Sequence, residues 1–275
     1  MRELTTSRER HNLLSGLMSM LLLLLVLVVV LPTARAATLN FDGLSIDFVE
    51  IGGSAAADNE GFKNPVGRVD DDYSISTYEI RESHIDAFNA ANLLAGTPVP
   101  DITDNGRGLN KPATSISWYE AAHFINWLNE THGASPAYKY SGGVFALWSG
   151  GDVGYDASNE FRNSDAIYWL PTVDEWHKAA YGSPGGTWYN YPTGSDVLPI
   201  AVASGTAAGS AVYNSVAGVP ADVNQAGGLS GYDVMGMGGN VFEWEETAFD
   251  LPPKPLAAAA ASKTLSSRPA TRKPT

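Results

Sequence analysis

The stretch GGNVFEWEE, residues 238–246, places two glycines, an amide, two aromatic rings and three acids next to one another. An amphipathic helix would not begin with two glycines, and a half-buried strand would alternate apolar and polar residues throughout. Two interpretations therefore compete. The stretch is either an acidic surface loop that follows a packed aromatic pair, or a cation-binding turn built from backbone carbonyls and a carboxylate.

Alternation within the stretch assigns its side chains to two faces. In an extended segment Phe242 and Trp244 lie on one face, and both rings are predicted to belong to the core. Val241 and Glu243 point the other way, which makes Glu243 the carboxylate that is free to bind a cation. The remaining acids are expected at the solvated surface: Glu245 and Glu246.

The N-terminal segment has the pattern of a secretory signal peptide over residues 1–36. Arginines precede an apolar run from Leu17 to Leu31, and Ala34-Arg35-Ala36 follows it, so cleavage is predicted before Ala37. A retained membrane anchor is the alternative, but a run of about 15 residues is shorter than the roughly 20 that cross a bilayer. We therefore expect a secreted or extracytoplasmic protein with no membrane span after signal cleavage.

Charge and cysteine content restrict the possible functions. Residues 37–250 carry 28 acidic and 8 basic residues, a net charge of −20, whereas residues 251–275 carry five basic residues and no acidic one. Such an acidic body would repel nucleic acid, so no nucleic-acid partner is expected, while it would suit cations. The 275 residues include no cysteine, which excludes disulfides, thiolate metal sites and thiol catalysis within them.

Hydrophobic patterning predicts few regular elements. Alternation favours one or two short strands within residues 39–51 and another over Tyr73–Ile80, and Ser83 is predicted to be the N-cap of a short helix. Residues 141–166 and 182–231 are dense in Gly, Ser, Asn and Asp and are predicted to form long loops.

Two further helices carry clear start signals. Ser117 and Glu120 have the spacing of a capping box at the start of a predicted helix over Trp118–Glu130. Thr172 and Glu175 repeat this pattern before a second helix, which Gly182 is expected to end. These elements and the long loops together predict an α+β domain.

Four stretches then occur in a recognisable order. They are Tyr73–Ile80, Ser115–Ala122 with Asn126-Trp127-Leu128, Leu170–Trp176 with Ala179-Ala180, and Tyr232-Asp233 with Gly239–Trp244. In this order they resemble the formylglycine-generating enzyme, or sulfatase-modifying factor, family, and Tyr191–Gly194 resembles a further motif of it. The resemblance covers about Leu39 to Asp250.

The resemblance implies a loop-rich α+β domain with the C-type-lectin-like fold of the sulfatase-modifying factor type. The expected organisation is a signal peptide over 1–36 and this domain over 37–250, followed by a disordered basic tail over 251–275. In the family pattern the domain continues beyond its G-N-V-W-E-W motif, so the segment up to residue 250 is interpreted as lacking its C-terminal part. A truncation or a frameshift would both produce such an end.

The resemblance also implies a structural calcium ion at the G-N-V-F-E-W turn. Carried over to this chain, its ligands are Asp233, the carbonyls of Gly239 and Val241, and the Glu243 carboxylate. A second family calcium has an asparagine ligand that corresponds to Asn214. Oxygen donors on a flexible glycine-rich loop are the kind of ligand that calcium prefers.

Catalysis is where the chain departs from the family it resembles. Oxidases of that family use a pair of cysteines that bind copper, so a chain without cysteine is expected to bind no copper. We therefore expect an exported, bacterial, non-catalytic domain, a pseudoenzyme that binds an unknown protein or glycan ligand or has a cell-surface role. Two alternatives stay open: a formylglycine-generating oxidase that acts on a sulfatase cysteine, and a truncated, non-functional remnant of such a domain.

Overall fold

The computed structural model describes residues 38–41, 44–52, 59, 66–94, 99–214 and 218–247. The predicted signal peptide and the predicted tail lie outside the described residues. The described residues belong to one compact unit, Ala36–Thr275. Within these ranges no helix has both the length and the apolar character that a membrane crossing requires.

A three-stranded antiparallel sheet begins the domain. Its strands are β1 (Thr38–Phe41), β2 (Leu44–Ile51) and β3 (Tyr73–Ser76), with β2 in the centre. β3 is shorter than predicted, since the alternating pattern continues to Ile80 but the strand ends at Ser76. Beyond that point the Ile80 carbonyl accepts a hydrogen bond from Ala113 N–H instead of a strand partner.

The other strands form two small ladders inside the long loops. β4 (Lys139–Ser141) pairs antiparallel with β5 (Val144–Ala146), and β6 (Ile200–Ala201) pairs parallel with β7 (Ser210–Ala211). A short 3-10 helix spans Val223–Gln225. Most of residues 141–166 and 182–231 that the structure describes are turns and irregular chain, as predicted.

Three α-helices pack against the sheet and loops: α1 (Glu82–Leu94), α2 (Trp118–Thr131) and α3 (Val173–Tyr181). The predicted N-cap of α1 is wrong, because Ser83 lies inside the first turn and is buried. The helix begins earlier, at Glu82, whose buried carboxylate accepts the backbone N–H groups of Arg107 (2.9 Å) and Gly108 (2.6 Å).

Both predicted capping boxes are present. At α2 the Ser117 hydroxyl accepts Glu120 N–H at 3.3 Å, and the Glu120 carboxylate accepts Ser117 N–H at 2.6 Å. At α3 the Thr172 hydroxyl accepts Glu175 N–H at 3.2 Å, and the Glu175 carboxylate accepts Thr172 N–H at 2.7 Å. These local contacts set where each helix begins, as the sequence spacing predicted.

Two apolar clusters form the core. The larger joins β1 and β2 to α1 and α2, and its buried members include Ile46, Phe88, Trp118, Leu128 and Tyr138. The smaller joins the end of β2 to α3 and to residues 232–237. The segment GGNVFEWEE contacts both clusters. Trp244 packs on the larger cluster, and Glu243 accepts a hydrogen bond from Trp176 of the smaller one.

Candidate functional site

Residues 238–241 of GGNVFEWEE lie in a turn and bends, and residues 242–245 form no regular strand. Gly239 N–H donates to Gly236 O at 3.0 Å, and Val241 N–H donates to Gly239 O at 2.8 Å. Asn240 has a positive φ of 65° and donates its N–H to Val212 O at 2.7 Å. Phe242 is exposed while Trp244 is partly buried, so the alternation of faces predicted for residues 241–244 does not hold.

The two aromatic rings consequently separate. Phe242, predicted to be core, is 68 % exposed. Trp244 is half-buried, packs on the larger cluster and donates its indole N–H to Ile116 O at 2.8 Å. Only Trp244 therefore performs the packing role that the sequence predicted for both rings.

The acids predicted to be solvated are instead buried: Glu245 is 7 % and Glu246 2 % exposed. Glu246 accepts hydrogen bonds from the Tyr138 hydroxyl (3.0 Å) and the Asn159 amide (2.5 Å). Arg162 lies 3.8 Å from Glu246 and 3.8 Å from Glu175. This prediction failed because the partners of Glu246 come from positions more than 70 residues away.

Glu243 is the acid on which the predicted cation site depends. Its carboxylate accepts the indole N–H of Trp176 at 2.6 Å. Burial raises the pKa of Glu243, an effect that this hydrogen bond partly offsets. Burial, together with the charges of Glu243 and Asp174, raises the pKa of Glu245 to about 7. Glu243 and Glu245 therefore lie where burial raises the free energy of the ionised carboxylate.

Glu79 is a candidate site residue that sequence reasoning missed. It is only 8 % exposed, and burial followed by the neighbouring charge of Glu243 raises its pKa well above the usual range. The Asn240 amide donates to Glu79 Oε2 at 2.8 Å, and the backbone N–H of Val241 also lies close enough to the carboxylate to stabilise its charged form. A Tyr-Glu pair at the end of a predicted strand was the available signal.

The other predicted calcium ligands lie in nearby turns. Asp233 and Asn214 are both exposed, with φ values of 65° and 58°. Asn214 follows Val212 by two residues, and the Val212 carbonyl accepts the N–H of Asn240. The Gly239 carbonyl accepts one hydrogen bond, from Val241, which leaves a lone pair for a cation. No group of three or more His, Cys, Asp or Glu side chains within the described ranges is arranged to hold a metal ion.

The donor set is chemically suited to calcium, since it combines a carboxylate with backbone carbonyls. Within it the carboxylate is that of Glu243, which already accepts the indole N–H of Trp176. A second carboxylate close to Glu243 is that of Glu79, which the sequence did not predict as a ligand. Glu243, Glu79 and the carbonyls of the turn therefore form the acidic centre of the candidate site.

Two voids meet at this acidic centre. An apolar cleft of about 180 Å³ is lined by Met235, Met237, Trp176, Phe242 and Glu243 among other residues. A polar cavity of about 280 Å³ adjoins it. Tyr78 and Glu79 line both. A concave apolar surface with a few buried polar groups is the usual form of a ligand-binding site.

The histidines that the structure describes do not form a metal centre. Burial lowers the pKa of His177 to about 4, and burial with the charge of Arg81 lowers the pKa of His84 to about 4. His123 stacks on Tyr140 with ring centroids 3.9 Å apart. These side chains act as neutral packing and hydrogen-bonding groups near pH 7.

Fold and site together define a cysteine-free α+β domain of the C-type-lectin-like, sulfatase-modifying factor type. The model of the sulfatase-modifying factor enzyme 1-like domain family matches residues 47–264, and the chain belongs to this family. The resemblance deduced from the four sequence stretches is thereby confirmed. A search of the curated proteins found no match.

Two solved structures share the fold. The crystal structure of CarF is 21 % identical, with a TM-score of 0.52, and the match covers 76 % of this chain and 82 % of CarF. Treponema denticola variable protein 1 is 20 % identical, with a TM-score of 0.53, and the match covers 78 % of this chain and 77 % of that protein. At this level of identity the likeness concerns the fold alone.

Proposed function

We propose that this protein is an exported, bacterial binding domain that has no formylglycine-generating activity. The observation that supports the proposal is the absence of cysteine from a 275-residue chain of this family. A thiolate is the soft ligand that copper(I) requires and the partner that a substrate thiol would need, and no other side chain replaces it in both roles.

The cleft beside GGNVFEWEE supports a binding role. It combines apolar walls at Met235 and Met237 with an exposed ring at Phe242, the buried carboxyl of Glu79 and the partly buried Glu243. Methionine and exposed aromatic side chains are well suited to contact a partner, because they present adaptable apolar surface. We propose a protein or glycan as the ligand of this cleft.

A direct assay tests the absence of oxidase activity. The purified protein, supplied with copper and oxygen, is expected to leave a peptide that carries the sulfatase motif unchanged, because the chain has no thiolate to activate. The product is measured by mass spectrometry, with a cysteine-containing oxidase of the family as positive control. Formation of the aldehyde by this chain would overturn the proposal.

We also propose that the turn binds a structural calcium ion through the Gly239 and Val241 carbonyls and Glu243, with Asp233 and Asn214 as further candidate ligands. Calcium that binds the folded state alone stabilises it by about 2.7 kcal/mol at roughly 100 times its dissociation constant. Thermal melting in millimolar calcium should therefore occur at a higher temperature than in chelator.

A substitution at Glu243 separates the contribution of its carboxylate to calcium binding from general effects of ionic strength on the melting temperature. Glu243→Gln is expected to remove most of the difference between the two melting curves, since it exchanges a calcium ligand for a neutral amide. Glu130→Gln, at an exposed position at the end of α2, is the matched control and should preserve the difference. Superimposed curves for the folded wild-type protein would rule out the calcium site.

A further inference from the structure

The apolar cleft beside GGNVFEWEE reaches the surface of the domain. Several of its lining residues are buried, but others are half-buried or exposed and keep apolar surface in contact with solvent: Ile80, Ile116, Leu170, Pro171, Phe242 and Trp244. The charged residues among the described lining are both acidic, Glu79 and Glu243. Exposed apolar surface of this kind usually marks an interaction site.

The described part of the chain ends beside this cleft. Thr247 is the last described residue, and its hydroxyl accepts Val173 N–H at 2.9 Å. Glu246 N–H donates at 2.8 Å to the carbonyl of Pro171, which lines the cleft. The chain continues to residue 275, and the family match continues to residue 264. The segment that follows Thr247 is therefore tethered next to the cleft, and part of it is matched as belonging to the family domain.

The sequence of this segment is suited to an apolar groove. It begins AFDLPPKPL, residues 248–256, in which Phe249 and Leu251 are apolar, and Pro252 and Pro255 have the P-x-x-P spacing. Proline-rich segments favour an extended polyproline helix that is largely preformed, so little entropy is lost when they bind. Grooves lined by aromatic side chains are the surfaces that recognise such segments.

The cleft supplies both aromatic surface and opposite charge. Trp176, Phe242 and Trp244 are among its lining residues. Residues 37–250 carry a net charge of −20, whereas residues 251–275 carry five basic residues and no acidic one. The acidic body therefore attracts the basic segment, in addition to any apolar contact between them.

We propose that residues 248–256 of this chain occupy the apolar cleft, with the prolines of the P-x-x-P motif against its aromatic rings. Between Thr247 and Pro252 the extended chain spans up to about 17 Å, which lets the segment fold back over a cleft that Trp244 already lines. The short tether gives the segment a roughly millimolar effective concentration, which favours it over the same segment of a second copy. Docking would order the first residues of a tail that composition alone predicted to be disordered.

This inference goes beyond the proposed binding role. A segment of the chain that occupies the cleft has to be displaced by any external ligand that uses the same apolar surface. The segment therefore acts as a built-in competitor for that ligand.

A disulfide between two introduced cysteines tests the contact, because the chain has no other cysteine. Ala121→Cys places one thiol at a half-buried position in the cleft, and Ala257→Cys places the other directly after the segment. The reference pair combines Ala121→Cys with Ala270→Cys. Positions 257 and 270 lie 10 and 23 residues beyond Thr247, so a freely moving tail would form the two disulfides at rates that differ by only about 3-fold. Docking is expected to make the pair with position 257 react at least about 10-fold faster than the reference pair.

Substitutions in the tail identify the prolines as the cause. Pro252→Ser combined with Pro255→Ser removes the P-x-x-P motif and should lower the ratio of the two rates to the roughly 3-fold of a free tail. Pro269→Ser combined with Pro274→Ser removes two prolines further along the same tail, and this matched control should preserve the ratio. Disulfide formation is followed on non-reducing gels and by mass spectrometry, and melting curves check that every variant is folded.

Three results would overturn the proposal: a ratio near 3 without the serine substitutions, a ratio that Pro252→Ser with Pro255→Ser leaves unchanged, or disulfide-linked dimers in place of the intramolecular bond. Dimers would show that the segment of a second copy fills the cleft. Failure here is distinct from failure of the proposed function. The cross-linking involves no external ligand, and aldehyde formation in the oxidase assay would refute the non-catalytic role whatever the cross-linking shows.

Discussion

Replacing Glu246 with alanine is expected to destabilise the domain by about 3–5 kcal/mol, the usual effect of removing one partner from a buried charged pair. Glu246 is 2 % exposed and joins Tyr138 of the core to Asn159 and Arg162 of a loop. Without it the Tyr138 hydroxyl and the Asn159 amide lose their acceptor. Arg162, whose Nη1 is already buried with no hydrogen-bond partner among the described residues, loses one of its two carboxylates.

Chemical denaturation measures this effect as a change in the free energy of unfolding. Glu246→Gln keeps the shape and one oxygen, so it should destabilise less than alanine and thereby separate the loss of charge from the loss of packing. Glu130→Ala, at an exposed position, is the control and should change stability by less than about 0.5 kcal/mol. A loss below about 1 kcal/mol for Glu246→Ala would show that the network contributes little to stability.

Gly239→Ala is expected to destabilise the domain by about 4 kcal/mol. A Cβ at position 239 would lie 2.2 Å from Val212 O and 3.1 Å from Val212 C, which are backbone atoms that cannot rotate away. Relieving the overlap costs up to about 3 kcal/mol, and moving the turn also breaks the 2.7 Å hydrogen bond from Asn240 N–H to Val212 O, worth about 1 kcal/mol.

The matched control is another glycine in a loop. Gly185 has no atom within 4 Å of an added Cβ and does not have a positive φ, so Gly185→Ala should be nearly neutral. Unfolding curves for the two variants, recorded under the same conditions, compare the combined effect of close packing and the positive φ of 154° at Gly239 with that of a methyl group alone. Equal stability of Gly239→Ala and Gly185→Ala would contradict the close approach of Gly239 to Val212.

Local sequence patterns were sufficient to predict where α2 and α3 begin and to indicate the family. Each capping box needs only a hydroxyl and a glutamate three residues apart, and the hydrogen bonds at Ser117 and Thr172 form within one turn of helix. The start of α1 was missed for the opposite reason. Glu82 is held by Arg107 and Gly108, about 25 residues away, and no local pattern indicates those partners.

The candidate site was predicted in part. The sequence singled out GGNVFEWEE and Glu243, but it did not show Glu79, which reaches the turn through Asn240 across 161 positions. It also did not show the polar cavity, because Ser45, Arg81, Asn110 and Asn224 come from four separate segments. Sites of this kind depend on which loops the fold brings together.

By itself the sequence determined the short-range features of this protein: two capped helices, the loop-rich α+β character, the cysteine-free chemistry and the family motifs. Only the tertiary structure decided which acids and rings of GGNVFEWEE are buried. Phe242 is exposed although Trp244, two residues later, packs on the core, and Glu246 is buried because Tyr138, Asn159 and Arg162 satisfy it. Burial of a charged group depends on whether distant partners compensate its lost hydration, and those partners are not encoded in the neighbouring residues.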